Sequence, residues 1–261
     1  MPSPRTFPAA MLVLLAALGG AGRARAEEQP FAQMYTPYLD ERGESELAMS
    51  TQASHGQAGT AGAQWYNRLE LEHAFSDRWS GALYLNAFQS GSLRAPLIFD
   101  GPSVEAIYRL SAPGPRRLDA AGYLEVRATG RETEYEPRFL LAHRGPRGVV
   151  ALNAIGEFEF LRDTKPGEEA ERSVRLAFGA TRVLGGGWSA GLEGWVEQTL
   201  ADASGDPRSL FAGPTIAFSA GGVRGTAGWQ PQVAGAPKSR NGLDLDDFPR
   251  SRLRIMLGVE L

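Results

Sequence analysis

Apolar and polar residues alternate one by one along most of this chain. In Trp65–Phe75 one face carries Trp65, Asn67, Leu69 and Leu71, and the other Tyr66, Arg68, Glu70 and Glu72. Glu132–Ala142 sets Thr133, Tyr135, Phe139 and Leu141 against Glu132, Glu134, Glu136 and Arg138. Arg252–Leu261 sets Leu253, Ile255, Leu257, Val259 and Leu261 against Arg252, Arg254, Met256 and Glu260. A period of two turns successive side chains to opposite faces of a strand, so each run is a strand with one apolar and one polar face. Twelve such runs are expected, near residues 44–54, 63–74, 79–88, 101–110, 119–128, 131–142, 148–161, 171–183, 187–199, 207–219, 222–232 and 250–261. Each approaches the ~9–11 residues with which a tilted strand crosses a bilayer. Ten strands remain compatible, because Pro137, Pro214 and Pro231 fall inside runs and a proline leaves a ladder short of one N–H donor.

The connections sort by length. Ser76-Asp77, 111–118, 144–147, 184–186 and Ala220-Gly221 are mostly tight and rich in Gly or Pro. Between them sit mostly longer polar segments at 55–62, 89–100, 162–170, 201–206 and 233–249, with Thr129-Gly130 the short exception. Short turns at one end and long loops at the other are the pattern of an outer-membrane barrel. The expected fold is therefore all-β: an antiparallel, up-and-down transmembrane barrel with short periplasmic turns, longer external loops and both termini periplasmic. A periplasmic sandwich is the rival, with its apolar face turned inward.

Two further features favour lipid on the apolar side. Aromatic residues gather toward strand ends, at Trp65, Phe75, Trp79, Phe88, Trp188, Phe218 and Trp229, as interfacial girdles require. The opposite face is too charged for an ordinary sheet surface. Facing inward by this phase are Glu70, Glu72, Glu105, Glu125, Glu132, Glu134, Glu136, Glu157, Glu159, Glu193 and Glu197. With them come Arg68, Arg109, Arg127, Arg138, Arg175, Arg224, Arg252 and Arg254.

The N-terminus reads as an address. Arg5 is followed by the apolar run Ala9–Leu18 and by Ala24-Arg25-Ala26, a leader with its cleavage site. Residues 1–26 are expected to be removed, 27–43 to form a periplasmic N-terminal segment, and 44–261 to form the barrel. The longest charge-free stretches beyond the leader, Trp79–Leu93 and Ser209–Val223, have 15 residues each, fewer than a spanning helix needs.

Composition changes little by itself. The 261 residues carry a net charge of −3, 22% charged residues and no Cys. Disulfides, thiolate metal sites and cysteine nucleophiles are thereby excluded. Mean hydropathy is −0.26, the value of a soluble protein, but a lipid-facing and a charged face average to the same figure. No Gly-rich phosphate loop, His cluster or basic stripe is present, so nucleotide, zinc and nucleic-acid functions find no support and no cofactor is expected.

The order of several short motifs resembles a family of uncharacterised Gram-negative outer-membrane barrel proteins. They are Phe31-Ala32-Gln33-Met34-Tyr35-Thr36, Gly43-Glu44-Ser45-Glu46-Leu47, Leu69-Glu70-Leu71-Glu72, Phe75-Ser76-Asp77-Arg78-Trp79 and Leu83-Tyr84-Leu85-Asn86. Later come Gly122-Tyr123-Leu124-Glu125, Leu192-Glu193, Phe211-Ala212-Gly213-Pro214-Thr215 and Trp229-Gln230-Pro231-Gln232. The chain is similar, more distantly, to barrels encoded with aromatic-degradation pathways and presumed to transport. The resemblance implies fold and outer-membrane location, and supplies no activity and no catalytic residues. A departure is the last residue, Leu261, where such barrels commonly end in an aromatic.

Three functions follow. The charged face lines a narrow path for small solutes, or its Arg and Glu interlock and close the lumen. In the second case the barrel acts as a structural or surface-interaction protein through its loops. A lipid hydrolase needs a His beside a Ser. His55 after Ser54 is the only candidate near an external loop, while His73 and His143 lie by short turns. The chain is not expected to be an enzyme. Glu70/Glu72 and Glu132/Glu134, about 6.6 Å apart by strand rise, match glycosidase spacing by coincidence among so many acids. Asp244, Asp246 and Asp247 read as a solvated acidic loop rather than a Ca²⁺ site. The expected partners are outer-membrane lipid and lipopolysaccharide, the latter through Lys165, Lys238 and Arg240, and the outer-membrane assembly machinery. The barrel is expected to be a monomer.

Overall fold

A computed structural model describes residues 29–91, 95–111, 118–162, 170–200, 206–236 and 239–261. The leader, Lys165 and Lys238 lie outside the described residues. Among the described residues there are strands and turns but no helix long and apolar enough to cross a membrane.

The strands are β1 (Ser45–His55), β2 (Ala63–Ser76), β3 (Trp79–Gly91), β4 (Ile98–Arg109), β5 (Asp119–Ala128), β6 (Glu132–Gly145) and β7 (Gly148–Leu161). They continue with β8 (Arg172–Gly185), β9 (Trp188–Thr199), β10 (Arg208–Ala220), β11 (Val223–Ala236) and β14 (Ser251–Glu260). The two short strands β12 (Ser239–Arg240) and β13 (Leu243–Asp244) form a separate hairpin in the last loop. The other twelve close into one barrel, each strand antiparallel to its chain neighbours and β1 pairing with β14 from Glu46↔Glu260 to His55↔Ser251. Closure removes every free sheet edge, which strands in lipid require.

Alternation decides which way each strand faces. Leu69, Leu71, Leu83, Leu85, Phe139, Leu192 and Ile255 are exposed on the outer wall, whereas Glu70, Tyr84, Asn153 and Glu193 are buried inside. The sandwich is thereby excluded: the apolar face is outermost. The tight end of the barrel is built by two-residue turns such as Gly186-Gly187 and Gly221-Gly222. All four glycines have positive φ, from 60° to 81°, the backbone that hairpins of this length use.

The prolines sit where ladders break. Pairing of β10 with β11 lapses between Phe211↔Gln232 and Thr215↔Gly228, next to a bulge at Leu210/Phe211, and Pro214 and Pro231 both fall in that gap. Pairing of β6 with β7 lapses between Tyr135↔Phe158 and Arg138↔Ile155, which spares Pro137 a donor it lacks, while its other side pairs with Leu124 of β5. Twelve strands, not ten, result.

One part of the chain lies elsewhere than expected. Of the segment 27–43 expected in the periplasm, the described part from Phe31 to Tyr38 is largely buried inside the barrel. It enters at the tight end next to Ser45.

Candidate functional site

The lumen is a charged tube filled from both ends. All nineteen predicted acids and arginines lie on its inner face by strand register. They are largely paired with one another. Arg68 donates to both oxygens of Glu125 at 2.7 and 3.1 Å. Arg127 meets Asp100 at 2.7 Å and also Glu134 and Glu132, and Arg138 pairs with Glu136. Near the external end, Glu197 takes Arg252 at 3.0 Å, Arg175 at 3.4 Å and the Trp195 indole N–H at 3.1 Å. Arg175 also lies 3.7 Å from Glu157, and Arg109 meets Asp119 at 3.1 Å. Glu70 and Glu105 accept from the Tyr84 hydroxyl instead of an arginine. Arg254 faces Glu70 and Glu72 across a small cavity beside the plug, and Glu159 accepts from the Glu171 N–H. Inward parity also holds Glu46 and Asp119, and the register shift between β3 and β4 brings Asp100 to Arg127 against the parity of its strand; sequence reasoning left out all three.

The N-terminal segment forms the plug. Its base is fixed by Arg224, whose two guanidinium nitrogens donate to the Asp40 carboxylate at 2.9 Å each while also meeting Glu46. Above that, Arg144 lies over the Tyr38 ring at 3.9 Å. At mid-barrel Arg138 is sandwiched between the rings of Tyr35 and Tyr123, at 4.6 and 4.4 Å. Asn153 bonds the Tyr35 peptide twice, and Glu193 accepts the backbone N–H groups of Ala32 and Gln33 at 3.1 and 3.0 Å. Phe31 and Met34 enter an apolar cluster with Val149, Ile155, Ala177 and Trp195. Burial, with the Glu105 and Glu70 carboxylates nearby, pushes the Tyr35 hydroxyl well above its ordinary value, so the ring stays neutral.

The wall is shaped to receive this segment. At Gly179 an added Cβ would stand 3.0 Å from Met34 Sδ and against the Phe31 ring, and at Gly228 it would meet Ala32 Cβ at 2.7 Å. Both glycines face inward, where a side chain would occupy the plug's space. Two cavities beside the plug, lined by Gln29, Glu46, Glu72 and Met256 among others, measure about 30 and 20 Å³. Each holds about one or two waters.

The external mouth is narrowed by the last loop. Phe248 is buried in the same apolar cluster as Trp195 and Phe211, whose rings stack at 5.0 Å under Arg252. Asp244 is fully buried, its carbonyl accepting from Gln232 and its Oδ1 from the Asp247 N–H at 3.3 Å. The expectation of a solvated acidic loop therefore fails at Asp244: the loop turns inward to cover the lumen.

Of the aromatic girdle, Phe75, Trp79, Trp188, Phe218 and Trp229 are on the outer wall, with Trp79 against Tyr108 and Trp188 against Phe218. Trp65 shares their outward parity. Phe88 does not: it pairs with Tyr66, 5.0 Å ring to ring, on the lumen side of the external mouth, because it shares parity with the buried Tyr84 and Asn86.

The hydrolase candidate comes apart. Ser54 is buried on the inner face and His55 exposed on the outer, as adjacent residues of a strand must be. Sequence reasoning missed a different pair: Ser45 Oγ and His73 Nδ1 lie 2.8 Å apart on the outer wall. They are cross-strand partners in the β1–β2 ladder.

Comparison with known proteins agrees with this architecture. Residues 147–261 match a family of unknown function, DUF6662, and the resemblance to an uncharacterised outer-membrane barrel family is borne out. None of the curated proteins matches. Among solved structures, a COG4313 outer membrane channel from Pseudomonas putida F1 aligns with TM-score 0.65 at 10% identity, over 86% of this chain and 97% of that one. The NanC porin aligns with TM-score 0.57 at 11% identity, over 82% and 100%. The KdgM porin aligns with TM-score 0.53 at 10% identity, over 82% and 98%. At such identities the likeness is one of fold: a closed antiparallel β-barrel like those of the outer-membrane porins and channels it aligns with.

Proposed function

We propose that this protein is a porin-like channel of the outer membrane, closed at rest by its own N-terminal segment and opened when that segment withdraws toward the periplasm. The observation that carries the reading is the mode of attachment. Among the described residues the plug is held by a few polar bonds to wall residues and by an apolar tip, and shares no strand ladder with the wall. A segment held this way can leave while the twelve-stranded ladder stays intact. What it would uncover is a continuous charged lining, the surface that selects small polar solutes. Inward acids outnumber inward arginines, so the open path is expected to favour cations over anions.

The porin and channel relatives support this reading through fold. A second reading, a non-conducting barrel acting through its loops, draws on Phe248 and the inward-turned last loop. Recordings on the full chain in planar bilayers separate them. Brief, cation-selective openings from a closed baseline support the channel. A reversal potential favouring anions would contradict the assigned lining, and a bilayer that stays silent even after the plug is removed would leave the loop reading.

A further inference from the structure

Outside the lumen, the outer wall carries an apolar groove on β5–β7. Where the β6–β7 ladder lapses, Pro137 has no amide hydrogen, and the Phe158 ring folds back over Gly156, 2.8 Å from where a Cβ would stand. The result is a groove of about 600 Å³ walled by Leu124, Tyr135, Pro137, Phe158 and Phe160. Tyr135 and Phe160 meet edge to face at 5.5 Å along its side, and Leu124, Tyr135 and Phe160 are among the exposed apolar residues of the barrel. The groove lies toward the barrel end with the long loops.

Directly above it the same outward face turns basic. Arg162 follows Phe160 by two residues, about 7 Å along the strand, and donates to Thr133 Oγ1 at 3.4 Å. Arg131 continues the β6–β7 register opposite Arg162, whose N–H donates to the Arg131 carbonyl at 2.9 Å. Both side chains are exposed. A phosphate has several acceptor oxygens and takes donors from two guanidinium groups placed side by side.

We infer that the outer face of β5–β7 binds one phosphorylated, acyl-chain-bearing lipid of the outer leaflet, its chain in the groove at Pro137 and its phosphate between Arg131 and Arg162. The apolar groove and the cationic rim are separated along one face as chain and headgroup are separated in the lipid. The inference rests on the outer-membrane orientation proposed above, which puts this end in the leaflet that faces outward.

The test uses the full chain in detergent, mixed with lipid A, with lipid A stripped of its phosphates, or with phosphatidylethanolamine. Bound lipid is counted by native mass spectrometry. One lipid A per barrel is expected to survive, with retention about tenfold lower for Arg131→Gln/Arg162→Gln and for the dephosphorylated lipid. Leu124→Trp, which fills the groove, should lower lipid A retention with both arginines in place. Arg208→Gln removes another outward arginine at the same barrel end and should bind as wild type does. Equal retention by wild type and the double variant, equal retention of phosphatidylethanolamine, or barrel dimers in place of bound lipid would overturn the inference. Heat-modifiable migration reports that each variant is folded. Planar-bilayer conductance of the double variant should match wild type, so loss of this site and failure of the channel reading are read separately.

Discussion

Asn153 bonds the peptide group of Tyr35 from both sides. Its Oδ1 accepts the Tyr35 N–H at 2.9 Å and its Nδ2 donates to the Tyr35 carbonyl at 2.9 Å. The wall thus offers the plug an amide that imitates one rung of a ladder, at a position that is itself fully buried. Asn153→Ala leaves both backbone groups of Tyr35 without partners, a cost of about 1–3 kcal/mol against the docked plug. Open probability in single-channel records should rise by about 5- to 150-fold. Unchanged gating would mean that the Tyr35 contact does not hold the channel closed.

Glu193 acts on the neighbouring turn of the plug. Its carboxylate takes the Ala32 and Gln33 N–H groups and the Gln230 amide, at 2.9 to 3.1 Å. Glu193→Gln keeps the shape but weakens these charge-assisted bonds, which are about twice as strong as neutral ones. Because the natural chain has no Cys, Ala32→Cys provides a single reporter thiol. Maleimide labelling should be slow in the Ala32→Cys protein and several-fold faster when Glu193→Gln is added.

The Arg224–Asp40 pair at the plug's base is nearly buried, with Glu46 on the same guanidinium. Arg224→Gln leaves two carboxylates facing each other. Removing one partner of a buried pair costs roughly 3–5 kcal/mol, and the slight exposure here puts the effect toward the lower figure. Thermal unfolding should come earlier and openings should lengthen. The exchanged pair Asp40→Arg/Arg224→Asp should recover part of the closure, an outcome that a general loss of folding would not give.

Gly179 tests the plug by bulk. Gly179→Val would push methyl groups into the space of Phe31 and Met34, while Val suits a strand position. The barrel should assemble normally and conduct more often. Gly122, whose Cβ would meet nothing within 4 Å, is the matched control, and Gly122→Val should gate as wild type does.

The strands were legible because a barrel wall in lipid must alternate residue by residue, and β5, Asp119–Ala128, and β7, Gly148–Leu161, fall on the runs expected from that alternation. The lumen charges followed from the same parity. The plug was not legible, because Phe31, Met34, Tyr35 and Tyr38 follow no period of two and sit in what reads as a linker. Four large apolar or aromatic residues so close together in a segment assigned to water were the signal that could have found it. Trp195 and Phe211 were missed for a related reason. Aromatics of a membrane barrel are expected in lipid, yet Trp195 shares parity with Glu193 and Glu197 and so had to face inward.

The central claim is that one removable segment keeps a charged lumen closed. It is tested most directly by single-channel recording of the chain with residues 29–40 removed, beside the full chain, in the same planar bilayers. Strand β1 begins only at Ser45, so the ladder is left whole. The account predicts stable, cation-favouring conductance steps for the shortened chain and a mostly closed baseline for the full one. A shortened chain that is folded by heat-modifiable migration and still passes no current, or a full chain that conducts equally, would contradict it.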